Sequence, residues 1–343
     1  MRKMILSTAL LYCCIAFTSS AQEYNHRNVK ILELSEQNDA KIANPENFVT
    51  RYSLNNLRLY PIIASETFRE TTRDMGKFTL LKDAIESNKI VITETGAQPG
   101  EGEQVQASFQ DVSGTVNTLF AKNNSNDTIF IMAGEVVKGG KQDRVIGQDV
   151  VLVPGQEVNL SAFCVESSRW TTKEGNGGKF TGYYNVSSMD IRKTVTTEKN
   201  QSMVWQKVDE HTAANGASSE THTYTNLENS EEYQKSVQEY MEMFKDAFKD
   251  DDRVIGVIAV TGDQVMGLDI FATHDLFITS FPNLLHSYAG NAITNGAPVT
   301  IGNQEVYDYL DQLLASQEGQ NERINDNGSV YEYKNKKLHI SYY

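Results

Sequence analysis

Cysteine and positive charge are both scarce in this sequence. Three Cys occur in 343 residues, and 31 Lys and Arg face 45 Asp and Glu, for a formal net charge of −14. The acidic balance excludes a nucleic-acid polymer as the main partner, because binding a phosphate backbone needs a basic footprint. Small anions stay open as ligands, since a local basic pocket can hold them on an acidic protein. No GxxxxGK[ST], GxGxxG, HExxH, CxxC or EF-hand loop occurs. The residues therefore name no cofactor and no metal site. What is present is apolar content enough for a core: 39% of residues are hydrophobic, which excludes an intrinsically disordered chain.

The first 21 residues predict a secretory signal peptide. Arg2 and Lys3 form a basic start, residues 4–17 are apolar, and Ser19, Ser20 and Ala21 offer small side chains for cleavage after Ala21. The apolar run is shorter than the roughly 20 residues of a spanning helix, so no integral membrane segment is expected after cleavage. Cleavage would remove two cations and no anion, taking the net charge from −14 to −16, and would leave Cys164 alone. The expected destination is extracellular or periplasmic, with no internal disulfide to stabilise the fold.

Along the chain, residues 22–54 read as a polar lead-in and 55–340 as one domain. Residues 57–65 (LRLYPIIAS) predict a strand with Pro61 at an edge or bulge, 78–88 a short helix, and 90–95 a strand. Short strands at 116–121, 128–133, 150–153 and 158–165 predict an antiparallel sheet or sandwich across 55–170. Residues 171–228 are rich in Thr, Ser, Asn and Gly and predict a long loop excursion. In the α/β part, 229–343, Tyr233, Val237, Tyr240, Phe244 and Phe248 have helical spacing, with Asn229 as cap and Glu232 at N3. The runs 254–260 and 265–271 flank Gly262-Asp263 and predict a hairpin. Helices follow at 275–292, kinked by Pro282, and at 304–314, and a second hairpin closes the chain. The expected class is α+β: a β-rich antiparallel front half, then helix, β-hairpin and helix.

Two polar clusters carry candidate chemistry. In 133–144 (AGEVVKGGKQDR), Glu135 starts a strand, and Gly139, Gly140, Lys141, Gln142 and Arg144 follow as a plausible anion-binding turn, whose glycines let backbone N–H groups approach a ligand. A solvated hairpin turn is the plainer alternative. In 164–170 (CVESSRW), Glu166 and Glu135 form a candidate acid–base pair, while Arg169 and Trp170 offer a cation and a stacking surface. An Arg–Glu salt bridge under a core Trp explains the same residues equally well. Cys164 reads as a small buried hydrophobe.

These two segments, with 151–155 (VLVPG), Gln201, Val204-Trp205, 254–271 (VIGVIAVTGDQVMGLDIF) and 284–289 (LLHSYA), resemble the ARG and rhodanese-phosphatase-superfamily-associated protein domain over about residues 55–340. The family is named for association with ADP-ribosylglycohydrolases and rhodanese or phosphatase proteins, so the resemblance implies an ADP-ribose-like or other nucleotide-derived ligand. Its polar signature falls on Glu135, Gly139, Gly140, Lys141, Gln142, Arg144, Glu166, Arg169 and Trp170. Ser168 stands where Gly is common in the family, and Asp143 where Asn is common. Three readings follow: a module that binds a small anion, a hydrolase of such a ligand using Glu135 and Glu166, and a structural or envelope interaction protein.

Overall fold

The computed structural model describes residues 22–32, 51–95, 117–169 and 178–343. Its spine is a seven-stranded antiparallel sheet in the order β1 (Val29–Ile31), β3 (Leu57–Ala64), β13 (Val254–Thr261), β14 (Gln264–Phe271), β16 (Lys336–Tyr342), β15 (Gly328–Tyr333), with β2 (Ser53–Leu54) paired to β3. Apolar residues occupy both faces of its central strands. Val257 and Ala259 of β13 join one core, and Ile258 and Val260 join the other. A strand buried on both sides reads as a continuous apolar run, as VIGVIAV does. One face is covered by α5 (Glu231–Phe244), through Tyr240 and Phe244, and by α6 (His274–Asn295), through Phe277, Phe281 and Leu284. The other is covered by Val306, Leu310 and Leu313 of α7 (Asn303–Leu314), with Ile324 of α8 (Gln317–Asn327) and Phe68 of α1 (Glu66–Thr72).

The remaining front strands close on themselves. β11 (Glu157–Cys164), β6 (Thr118–Asn123), β5 (Ile90–Glu94), β12 (Lys179–Val186), β8 (Glu135–Gly139) and β9 (Arg144–Ile146) form a six-stranded antiparallel barrel. Closure removes the exposed edges that a sheet or sandwich would leave. Ile92, Leu119, Ala121, Val137, Ile146, Leu160 and Phe180 fill it together with Leu81, Ala84 and Ile85 of α2 (Leu81–Glu86). A three-stranded sheet of β10 (Val150–Leu152), β7 (Ile129–Ile131) and β4 (Thr79–Leu80) is the shared wall. Strand alternation sends Ile129 and Ile131 into the barrel core, and Phe130 and Met132 into the core of the large sheet.

The α+β class holds, with the helix–hairpin–helix order in the last third. Four local expectations are corrected. The front strands make a barrel rather than an open sheet or sandwich, and β3 leaves them to pair with β13 from the back of the chain. Pro61 is not on an edge strand, but the bulge alternative fits, since the β3–β13 register shifts between Val254 and Gly256, opposite Ile63 and Ile62. It lies where the neighbour on one side of β3 changes: β1 pairs with 62–64 and β2 with 57–58, so the missing N–H interrupts no ladder bond. The lead-in is ordered where it is described, since β1 pairs with β3 and Tyr24 is buried. The predicted loop 171–228 holds β12, α3 (Met189–Lys193), a π-helical turn (Thr194–Glu198) and α4 (Gln201–Ala214). Composition hides α4 because two of its four buried positions are His211 and Thr212. The cap of α5 is Ser230, whose hydroxyl accepts from Tyr233 N, and Asn229 ends a preceding 3-10 segment. α6 remains helical on both sides of Pro282. Among the described residues no helix is long and apolar enough to cross a membrane.

Candidate functional site

The turn between β8 and β9 sits at one rim of the barrel. Gly139 has φ +142°, and a Cβ there would lie 2.5 Å from Lys179 O, so only glycine fits this close strand approach. The turn does bind anions, and they are the protein's own carboxylates. Lys141 N donates to Glu94 Oε1 at 3.1 Å, Gly139 N to Asp143 Oδ1 at 3.0 Å, and Asp143 N to Glu166 Oε2 at 3.1 Å. The guanidinium groups add to this. Arg144 Nη2 donates to Glu94 Oε1 at 3.3 Å, and Arg169 donates through Nε and Nη2 to Glu166 at 2.9 and 2.6 Å. Arg169 Nη1 also reaches Gly140 O at 3.0 Å, which ties the loop after β11 to the turn. Thr225 Oγ1 donates to the second oxygen of Asp143 at 2.9 Å.

The rim carries Lys141, Arg144 and Arg169 and equally many carboxylates, Glu94, Asp143 and Glu166, with both arginines ion-paired to them. The expected cationic patch is thus internally compensated. Among the described residues two buried donors here nevertheless lack an acceptor, Gln142 Nε2 and Arg144 Nε, although both side chains are buried to within 1% of full enclosure. Lys141 is exposed, with no ion pair among the described residues. Cys164, the β-ladder partner of Arg144, is buried, and burial pushes its thiol up. Its backbone N–H and C=O are both met by the Gln201 amide, at 2.8 Å each. Trp170 lies outside the described residues.

Glu135 does not join this group. It begins β8 while Gly139 ends it, a separation of about 13 Å along the strand. Its Oε2 accepts from Met132 N at 2.7 Å and its Oε1 from Tyr183 Oη at 3.0 Å. The structure therefore does not assemble Glu135 and Glu166 as a pair across a cleft. Burial pushes the Glu135 carboxyl up to about 8, against the lowering effect of those two hydrogen bonds.

Beyond Glu135 lies a second, deeper network that the sequence reading missed. Asp149 accepts from Ala133 N at 2.7 Å and contacts His339 Nδ1 at 2.6 Å. His339 Nε2 meets Asp269 Oδ1 at 3.0 Å. Arg192 grips Asp269 with two bonds, at 3.0 and 2.6 Å, and Ser341 Oγ and Tyr288 Oη donate to the same carboxylate at 2.7 and 2.5 Å. Phe271 stacks on the His339 ring at 4.2 Å. Burial would lower His339, but Asp149 and Asp269 outweigh it and push the imidazole up to about 9. Burial would likewise raise Asp269, yet Arg192 and His339 hold it well below the usual carboxylate range. Gly134 (φ +93°) admits the Arg192 stem, which lies 2.4 Å from where a Cβ would be. The available signal was a lone charge inside an apolar strand, as in LDIF and LHIS. Both nitrogens of His339 face carboxylates, so it is a locked cation rather than a base.

Cavities of about 480, 310 and 380 Å³ occur among the described residues, and the rim residues line none of these. Among the described residues no group of three or more His, Cys, Asp or Glu could hold a metal ion. Neither a curated protein nor a solved structure matches the chain. The model of one family does match, over residues 47–342, which include the barrel rim, the shared wall and all of the large sheet but β1. The chain accordingly belongs to the ARG and Rhodanese-Phosphatase-superfamily-associated Protein domain family.

Proposed function

We propose that the chain is an exported module that binds a small anion at the barrel rim, with Glu94 occupying the anion's place in the absence of ligand. The observation that carries this reading is the pair of buried donors without acceptors, Gln142 Nε2 and Arg144 Nε, beside the turn. Leaving a buried donor unmet costs about 1–3 kcal/mol, and a ligand rich in acceptor oxygens would recover part of that. Lys141 supplies a cation with no ion-pair partner among the described residues, and Glu94 is a side chain that a stronger anion can displace. Phosphate, pyrophosphate and ADP-ribose-type ligands fit this chemistry, the last in keeping with the associations for which the family is named. Export rests on the basic start, apolar run and small residues of positions 1–21. A hydrolase reading is left without support for its acid–base pair, because Glu135 begins β8 while Glu166, two residues past β11, accepts from Asp143 N beyond the other end of that strand.

A structural reading draws on a different observation: the rim cations already hold carboxylates, and Arg144 is almost fully enclosed. Thermal unfolding with phosphate, pyrophosphate and ADP-ribose separates the two. The binding reading expects at least one of them to raise Tm, to lose its effect in Lys141→Ala, and to bind about tenfold tighter in Glu94→Gln, which removes the competing charge but keeps an acceptor oxygen. If no anion shifts Tm in either the parent or Glu94→Gln, the rim is a structural tie and the binding reading falls.

A further inference from the structure

A cavity of about 310 Å³ lies between α3, the β13–β14 turn and the C-terminal part of α6, and Asp190, Lys193, Asp263, Asn291 and Asn295 line it. Its polar groups are of both signs and only partly used. Lys193 is half-buried and has no ion pair among the described residues; Asp263, on the turn across the cavity, has none either. Asn291 Oδ1 is a buried acceptor without a donor. Asp190 is supported from behind by His211 Nε2 at 2.9 Å and Ser188 Oγ at 2.6 Å. Burial would raise Asp190, but His211 outweighs it and the carboxyl is lowered, so a negative charge stays at the wall.

The wall is also held in place. Asp190 and Lys193 share α3 with Arg192, which turns inward to the buried Asp269, and the helix runs straight into the π-helical turn. Such turns often accompany functional sites, and a site fixed by buried contacts keeps its geometry. A half-buried ammonium that lacks a counter-charge calls for a carboxylate. Asp263, which is exposed, and Asn291 Oδ1 have no donor among the described residues and call for an ammonium, to which Asp190, itself bonded by His211, Ser188 and Asn295, adds its negative charge.

We propose that this cavity binds a small zwitterion of the α-amino-acid type, its carboxylate on Lys193 and its ammonium among Asp190, Asp263 and Asn291 Oδ1. The volume is at the small end for ligand sites, which suits a molecule of that size. The site is separate from the barrel rim and stands or falls independently of it. Titration calorimetry of the full chain with glycine, alanine and serine tests it, with acetate and ethylamine as probes of each half alone. At least one amino acid should bind, and acetate and ethylamine should not at the same concentration. Lys193→Met and Asp263→Asn should each weaken binding about tenfold, the scale of one charge-assisted contact, with the ligand-free Tm unchanged. Lys141→Ala, at the rim, should leave amino-acid binding intact. Absence of binding by all three amino acids, equal binding by the parent and Lys193→Met, or loss of binding in Lys141→Ala would each overturn the assignment.

Discussion

The barrel rim and the deep network use the same chemistry, arginine against carboxylate, in different surroundings. In the deep network Arg192, Asp269 and His339 are all fully enclosed, and Asp149 and Asp269 balance Arg192 and His339. Its unpartnered donor among the described residues, Arg192 Nε, lies 3.2 Å from where a Cβ on Gly134 would be, in a side chain that is fully enclosed. At the rim, Glu94 and Arg169 keep 14% and 13% of their side chains exposed, Lys141 is open, and Gln142 Nε2 and Arg144 Nε lack acceptors among the described residues. A buried ion network that is balanced and sealed holds a fold together. One that is balanced, short of acceptors and bordered by partly exposed side chains is the setting on which the binding reading rests.

Removing a charge from each network should separate them most clearly. Asp269→Asn leaves Arg192 and His339 with only Asp149 between them, and breaking a buried pair in this way costs about 3–5 kcal/mol. Glu94→Gln should cost about 1 kcal/mol, because the side chain is partly exposed and keeps an acceptor. Urea unfolding monitored by circular dichroism should show a large fall in midpoint for the first and a small one for the second, at equal m. Equal effects would erase the distinction.

Next comes pH. Glu135 rises from 4.5 to about 8 and His339 from 6.5 to about 9 on folding. Both shifts mean that the folded chain holds protons the unfolded chain has released, so stability falls as pH rises. The Glu135 share is lost between about pH 4.5 and 8. The His339 share is complete below about 6.5 and gone above about 9. Glu135→Gln removes the lower share only, so it should match the parent at pH 5 and exceed it in unfolding free energy at pH 9. A variant that tracks the parent across that range would mean Glu135 is ionised in the fold.

How much of this the sequence could disclose follows from sequence distance and from residue type. The β13–β14 hairpin was readable because two apolar runs meet at Gly262-Asp263, and α5 because Tyr233, Val237, Tyr240 and Phe244 recur at helical spacing. The barrel was not readable. It closes when β12 pairs with β5 and β8, and the sequence of β12, KFTGYYNV, is half polar. The rim was half readable: Gly139–Arg144 and Glu166–Arg169 do converge, across β9 and β11. Glu94 comes from 47 residues upstream of Lys141 and had no local mark. The deep network draws Arg192, Asp269 and His339 from three separate elements and Asp149 from the loop between β9 and β10, and only tertiary packing brings them together.

The smallest effect concerns Lys138, one strand residue before the turn. Its Nζ holds Glu228 at 2.7 and 2.9 Å on a partly exposed surface. A pair in such a setting contributes about 0.2–1 kcal/mol and is screened by salt, so Glu228→Gln should shift the unfolding midpoint little at low ionic strength and not at all in 1 M NaCl. Its effect on anion binding is more informative. If the rim recognises ligand through its unmet donors and the displaceable Glu94, freeing Lys138 should change affinity less than about twofold, whereas Glu94→Gln tightens it about tenfold. Should both variants tighten binding equally, with the gain vanishing in salt, the rim would be acting through its summed charge, and the contrast between an acceptor-poor site and a sealed tie would no longer describe it.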